Sequence, residues 1–156
     1  MTDDVRWLAA DEQRAWRAWL DAHAKLSARL NRELQAGSGL SLSDYDVLVH
    51  LTDVPEGRLR AFELGDGLQW EKSRVSRQVS RMAERGLVAR ESAPEDGRGA
   101  YVVLTTAGRK AIEEAAPAHV ELVRRLLFEG LTPDQVRILG SVAASVVRRL
   151  DLDDAG

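Results

Sequence analysis

Cysteine is missing from this 156-residue chain. That excludes a disulfide framework, thiolate zinc and iron–sulfur sites, and any thiol-based redox switch. Histidine occurs only at His23, His50 and His119, never in an HxxxH or HExxH spacing. A metal site would have to assemble from separate helices, and no metal or cofactor is expected. Long apolar runs are also missing: charge-free stretches reach about ten residues, against ~20 for a helix spanning a bilayer. The start, Met1-Thr2-Asp3-Asp4, is acidic where a secretory signal is basic and then apolar. The expectation is a cytoplasmic protein with no membrane partner. No G-x-S-x-G, Walker or dinucleotide motif appears, and Gly65-x-Gly67 lacks the flanking strand of a phosphate loop. An enzyme is not expected.

What is present is helix-favouring and charged. With 30% charged and 44% hydrophobic residues, the length suits a single domain over 1–156. From Asp11 to about Gln35, Trp16, Trp19, Leu20, His23, Leu26, Leu30 and Leu34 recur at spacings of three and four, a stripe along one helix that Gly37-Ser38-Gly39 should end. A second helix should open near Ser41 to Ser43 and turn Tyr45, Val47, Leu48 and Leu51 inward. A short third helix is expected over about Leu59 to Leu64, then a turn at Gly65-Asp66-Gly67. A fourth should run from about Glu71 to Arg85, where Gly86 stops it.

The periodicity then changes. Leu87 to Ser92 and Ala100 to Leu104 read as a hairpin whose tip holds Pro94, Asp96, Gly97 and Gly99. Thr105 or Thr106 should cap a helix that Pro117 kinks or breaks. The last helix has a defined start, with Thr132 as cap, Pro133 at the first position and Gln135 completing a capping box.

Charge is segregated along this plan. Lys72 to Arg90 holds six basic residues and one acid, whereas the other 137 residues hold 16 basic and 24 acidic side chains. The net charge of −3 thus sums a basic segment and an acidic body. On a helical wheel Val75, Val79 and Met82 share the inward face, with Ser73, Arg77, Ser80 and Arg81 opposite and Arg74 and Ser76 on the flanks. Guanidinium groups can read guanine edges in a major groove, and serine hydroxyls can bond phosphate or a base. A short helix before this one and a hairpin after it make a winged helix-turn-helix, with Arg98 at the wing tip suited to a narrow minor groove. The fold class expected is mainly α with a small β-hairpin wing, flanked by N- and C-terminal helices whose apolar stripes exceed what a winged helix can cover.

The run Ser73-Arg74-Val75-Ser76-Arg77-Gln78-Val79-Ser80-Arg81-Met82-Ala83-Glu84-Arg85-Gly86-Leu87-Val88-Ala89-Arg90 resembles the recognition-helix signature of the MarR (multiple antibiotic resistance regulator) family. Pro94-Glu95-Asp96-Gly97-Arg98 and Leu104-Thr105-Thr106-Ala107-Gly108-Arg109 resemble that family's wing and following helix. The resemblance implies a homodimeric transcription regulator, a repressor on a pseudopalindromic operator in double-stranded DNA. It implies DNA contacts from Ser73, Arg74, Ser76, Arg77, Arg81 and Arg98, with Asp96 orienting a wing arginine. It implies dimerisation through 1–36 and 106–156 around a DNA-binding lobe over 37–105. It also implies a small aromatic effector, for which Trp16, Trp19, His23 and Tyr45 are the candidate contacts, and its thiol-switch mode is excluded here. The family commonly carries two arginines after the wing aspartate, whereas this chain has Gly97 and then Arg98. The alternative reading is a winged helix whose basic face binds an acidic protein partner.

Overall fold

A computed structural model describes residues 5–93 and 99–155. The elements in chain order are α1 (Ala10–Ser38), α2 (Leu42–Thr52), β1 (Arg58–Arg60), α3 (Ala61–Leu68), α4 (Lys72–Glu84), β2 (Val88–Ser92), β3 (Ala100–Leu104), α5 (Thr106–Val123), a π-helical segment (Arg124–Phe128) and α6 (Pro133–Asp154). The chain divides into two compact units, Met1–His119 and Val120–Gly156. Among the described residues no helix is long and apolar enough to cross a membrane.

In the first unit, α1 runs three residues beyond Gln35 and closes at Gly39, whose φ of 72° lets its N–H reach Gln35 O at 3.1 Å. Gly37 therefore stays helical. Ser41 caps α2: its Oγ accepts from Asp44 N at 3.0 Å, while Asp44 Oδ2 accepts from Ser41 N at 2.9 Å. As the spacing predicts, α2 buries Tyr45, Val47, Leu48 and Leu51, and the core continues through Leu64, Val75, Val79, Met82 and Val102.

Around α3 two features differ from the sequence expectation. Gly65-Asp66-Gly67 is not a turn but the body of α3, which runs on to Leu68 and ends at Gln69 with φ 56°. The reason is close packing. A Cβ on Gly65 would stand 3.2 Å from Trp70 O and 3.3 Å from Val75 Cγ2, and one on Gly67 would stand 2.9 Å from His50 Cδ2. These glycines admit neighbours to the helix surface instead of bending the chain. The segment before α3 adds a strand that sequence reading missed. Arg58–Arg60 pairs antiparallel with β3, so the hairpin becomes a three-stranded sheet in the order β1-β3-β2. Three residues are too few to show alternation, so this strand had no pattern of its own.

Pro117 neither breaks nor ends α5, which continues to Val123. Pro117 and Glu113 are both exposed, so the amide bond that proline forfeits is lost on a side open to solvent and not in the core. The ladder widens to π-helical bonding at Arg124–Phe128, where Glu129 N reaches Arg124 O at 2.9 Å. In the second unit α6 starts as the sequence requires, with Thr132 Oγ1 accepting from Gln135 N at 3.2 Å and Gln135 Oε1 from Thr132 N at 2.8 Å. No residue of α6 is buried, and Val136, Val142, Val146 and Leu150 lie exposed along it.

Candidate nucleic-acid interface

The helix α4 divides as its wheel predicts. Val75, Val79 and Met82 are buried, whereas Ser73, Arg74, Ser76, Arg77, Ser80 and Arg81 are exposed. The helix is anchored by its apolar side, and the hydroxyl and guanidinium groups on its other side stand clear of the core.

The basic residues nearby do different jobs. Arg74 lays its guanidinium over the Trp70 ring, 4.1 Å from the centroid, which orients the charge without neutralising it. Among the described residues Arg77 has no ion pair and no side-chain hydrogen bond. Arg81 Nη2 donates to Gln78 Oε1 at 3.0 Å. Arg85 and Arg90 are structural. Arg85 donates to Asp44 Oδ2 at 2.7 Å and to Gly39 O at 2.8 Å. Arg90, on β2, donates to Ser76 O at 2.8 Å and Ser80 Oγ at 3.0 Å, tying the sheet to the helix. The local charge counted from sequence therefore overstates what faces outward, because Arg85 is paired with a buried carboxylate.

Arg98 and Asp96 lie outside the described residues. On the sheet that carries the wing, Arg58 and Arg60 both lie over the Tyr101 ring, at 4.3 and 4.5 Å. Sequence reading passed over these two arginines. The three-residue strand that carries them is too short for a periodicity that would have singled them out.

The four residues expected to line an effector pocket are dispersed in character. Trp16 and Trp19 are 52% and 55% exposed, and His23 is exposed on the same helix. Tyr45 is buried against the His119 ring, with centroids 4.3 Å apart. Trp70, read from sequence as a packing anchor, packs against the core. A groove of about 850 Å³ opens beside α3 and α4, where Phe62, Trp70, Val75 and Arg90 are among its walls.

Around His119 the electrostatics are set by burial. Burial lowers the His119 pKa from its ordinary 6.5, against an opposing pull from Asp46, and Nδ1 has no partner among the described residues. Burial raises Asp46, opposed by His50, His119 and Arg74. A lowered histidine contributes stability that is fully present above pH 6.5 and lost as pH falls towards its folded value. Asp46, being raised, acts oppositely: the stability it contributes is lost as pH rises past the carboxylate range. The expected result is that between about pH 7 and 5 the wild type loses more melting temperature than His119→Phe. Equal losses in both proteins would refute a titrating role for His119.

A sequence model described as MarR family matches residues 38–99. The crystal structure of Sco3205, a MarR family transcriptional regulator from Streptomyces coelicolor in complex with DNA, is similar with a TM-score of 0.90. It is 38% identical, covering 96% of this chain and 93% of that one. The HTH-type transcriptional repressor YetL of Bacillus subtilis is 28% identical over 105 residues, 65% of this chain and 63% of its own. The HTH-type transcriptional repressor IacR of Pseudomonas putida is 38% identical over 79 residues, 51% of this chain and 47% of its own. The chain thus matches less than two thirds of the length of either curated relative.

Proposed function

The chain belongs to the MarR family of transcriptional regulators, and we propose that it is a homodimeric repressor that reads a pseudopalindromic operator in double-stranded DNA with α4. The observation that carries this reading is the division of that helix: an apolar side seated in the core, and Ser73, Arg74, Ser76, Arg77 and Arg81 exposed together. In this reading the lobe over 37–105 binds DNA, with Arg98 entering the minor groove and Asp96 orienting it. The segments 1–36 and 106–156 form the dimer. The exposed stripes of α1 and α6, each reaching from Trp16 to Leu20 and from Val136 to Leu150, support that part, since a monomer leaves them in water. Trp16, Trp19, His23 and Tyr45 are the proposed contacts for a small aromatic effector, which must favour the DNA-incompetent dimer in order to release the operator.

Selection of bound duplexes from a random pool tests the whole reading. A two-fold symmetric site with half-sites about one helical turn apart is the expected outcome. Light scattering should give about 34 kDa, twice the 17.2 kDa chain. A 17 kDa species at micromolar concentration removes the dimer, and enrichment of no sequence removes the operator.

A further inference from the structure

Gln78 occupies a position on α4 that its pattern reserves for the core. It is 5% exposed, on the face that carries Val75, Val79 and Met82. A polar amide there is costly unless both its ends are bonded, and both are. Its Nε2 donates inward to Asp44 Oδ1 at 2.6 Å, and its Oε1 accepts from the exposed Arg81 Nη2 at 3.0 Å. The chemistry settles the amide's orientation: a carboxylate can only accept and a guanidinium can only donate.

Asp44 is itself held from several sides. It is 4% exposed, and its second oxygen accepts from Arg85 Nη1 at 2.7 Å and from Ser41 N at 2.9 Å. Arg85 Nη2 also donates to Gly39 O at 2.8 Å, the residue that closes α1. The corner between α1 and α2 is thereby bonded at two points about two turns apart, Gln78 within α4 and Arg85 at its C-terminal cap.

We propose that Gln78 is a positioning residue for DNA recognition, relaying the fixed Asp44 carboxylate to Arg81 so that this guanidinium is held in one orientation before DNA arrives. The proposal rests on the reading of α4 as the recognition helix. A free arginine must be ordered on binding, at a cost in affinity; one already bonded to Gln78 loses less. The competing account is that Gln78 merely completes the fold. The two differ in what happens to Arg81. If Gln78 acts through Arg81, then its loss cannot matter once Arg81 is gone.

The experiment measures affinity for a labelled duplex enriched from a random pool by the wild-type protein, using Gln78→Leu, Gln78→Met, Arg81→Ala and Gln78→Leu/Arg81→Ala. Leucine and methionine fill the amide's space, and thermal melting reports which variants keep the wild-type fold. The expected result is a loss of about 3- to 10-fold for both Gln78 variants, with the double variant no weaker than Arg81→Ala alone. Wild-type affinity in a folded Gln78 variant overturns the relay, as do losses that multiply in the double variant. A loss found only in Gln78 variants that melt early, and absent from one that melts normally, overturns it as well. If the wild-type protein enriches no duplex, both the relay and the recognition-helix reading fall together.

Discussion

Replacing Arg74 and Arg77 together by alanine should weaken binding to the operator duplex by about two to four orders of magnitude, from roughly 1–3 kcal/mol per base-reading arginine. The two side chains are expected to differ in character. Arg77 has no side-chain partner among the described residues, so its whole guanidinium is available to a base edge. Arg74 is stacked on Trp70, which leaves its N–H edge directed by the ring while its charge stays intact. Because both are exposed, the double variant should fold normally, its melting temperature close to wild type. Salt separates their roles. Wild-type affinity should fall with a log–log slope of about −0.9 per phosphate neutralised. A substitution that removes a phosphate contact makes that slope shallower by about one, whereas one that removes a base contact relaxes sequence preference instead. Unchanged affinity in the double variant would remove α4 from the DNA interface and leave its basic face to an acidic protein partner.

The second large effect is on stability and centres on Gly108. It lies in the first turn of α5, where Thr105 Oγ1 accepts from its N–H at 3.0 Å and itself reaches Gly86 O at 2.6 Å. A Cβ at Gly108 would stand 2.0 Å from Leu87 O and 3.0 Å from Leu104 Cδ1. The first obstruction is backbone, so no rotamer change relieves it, and the start of α5 would have to move away from the connection between α4 and β2. Gly108→Ala should therefore cost about 3 kcal/mol or more, seen as a melting temperature lower by about 6 °C or more. Gly37→Ala is the matched control. That glycine is helical with nothing within 4 Å of the added carbon, and alanine there should raise stability by about 0.5–1 kcal/mol. If the two substitutions have the same effect, the close approach at Gly108 is not what the glycine provides.

Gly108 also shows where reading a sequence succeeds and where it stops. Within Leu104-Thr105-Thr106-Ala107-Gly108-Arg109 the resemblance to a family motif was legible, and so was a helix beginning there. Why a glycine is needed was not, because the atom that excludes a side chain belongs to Leu87, twenty-one positions away in the chain. The same holds for Gly65 and Gly67. Two glycines close together in sequence suggest a turn, and only the arrival of Trp70, Val75 and His50 against the helix surface shows that they serve packing.

What the sequence alone determined was whatever depends on near neighbours. The helix start near Ser41 to Ser43, the cap at Thr132, the buried Val75-Val79-Met82 stripe, the hairpin and the basic face opposite the stripe all follow from spacings of two to four residues. These spacings decide which side chains share a face whatever the rest of the chain does. Tertiary structure decided the tasks of side chains whose partners are distant in sequence. Arg85 and Arg77 look equivalent on a charge count, yet Arg85 is paired with Asp44, forty-one residues earlier, while Arg77 remains exposed. Gln78, to which the helical wheel assigned no task, bonds the same carboxylate. A net charge of −3 records how many ionisable groups the chain has, but only folding decides which of them neutralise one another and which remain to meet a partner, because Coulomb and hydrogen-bond energies depend on distance in space and not along the chain.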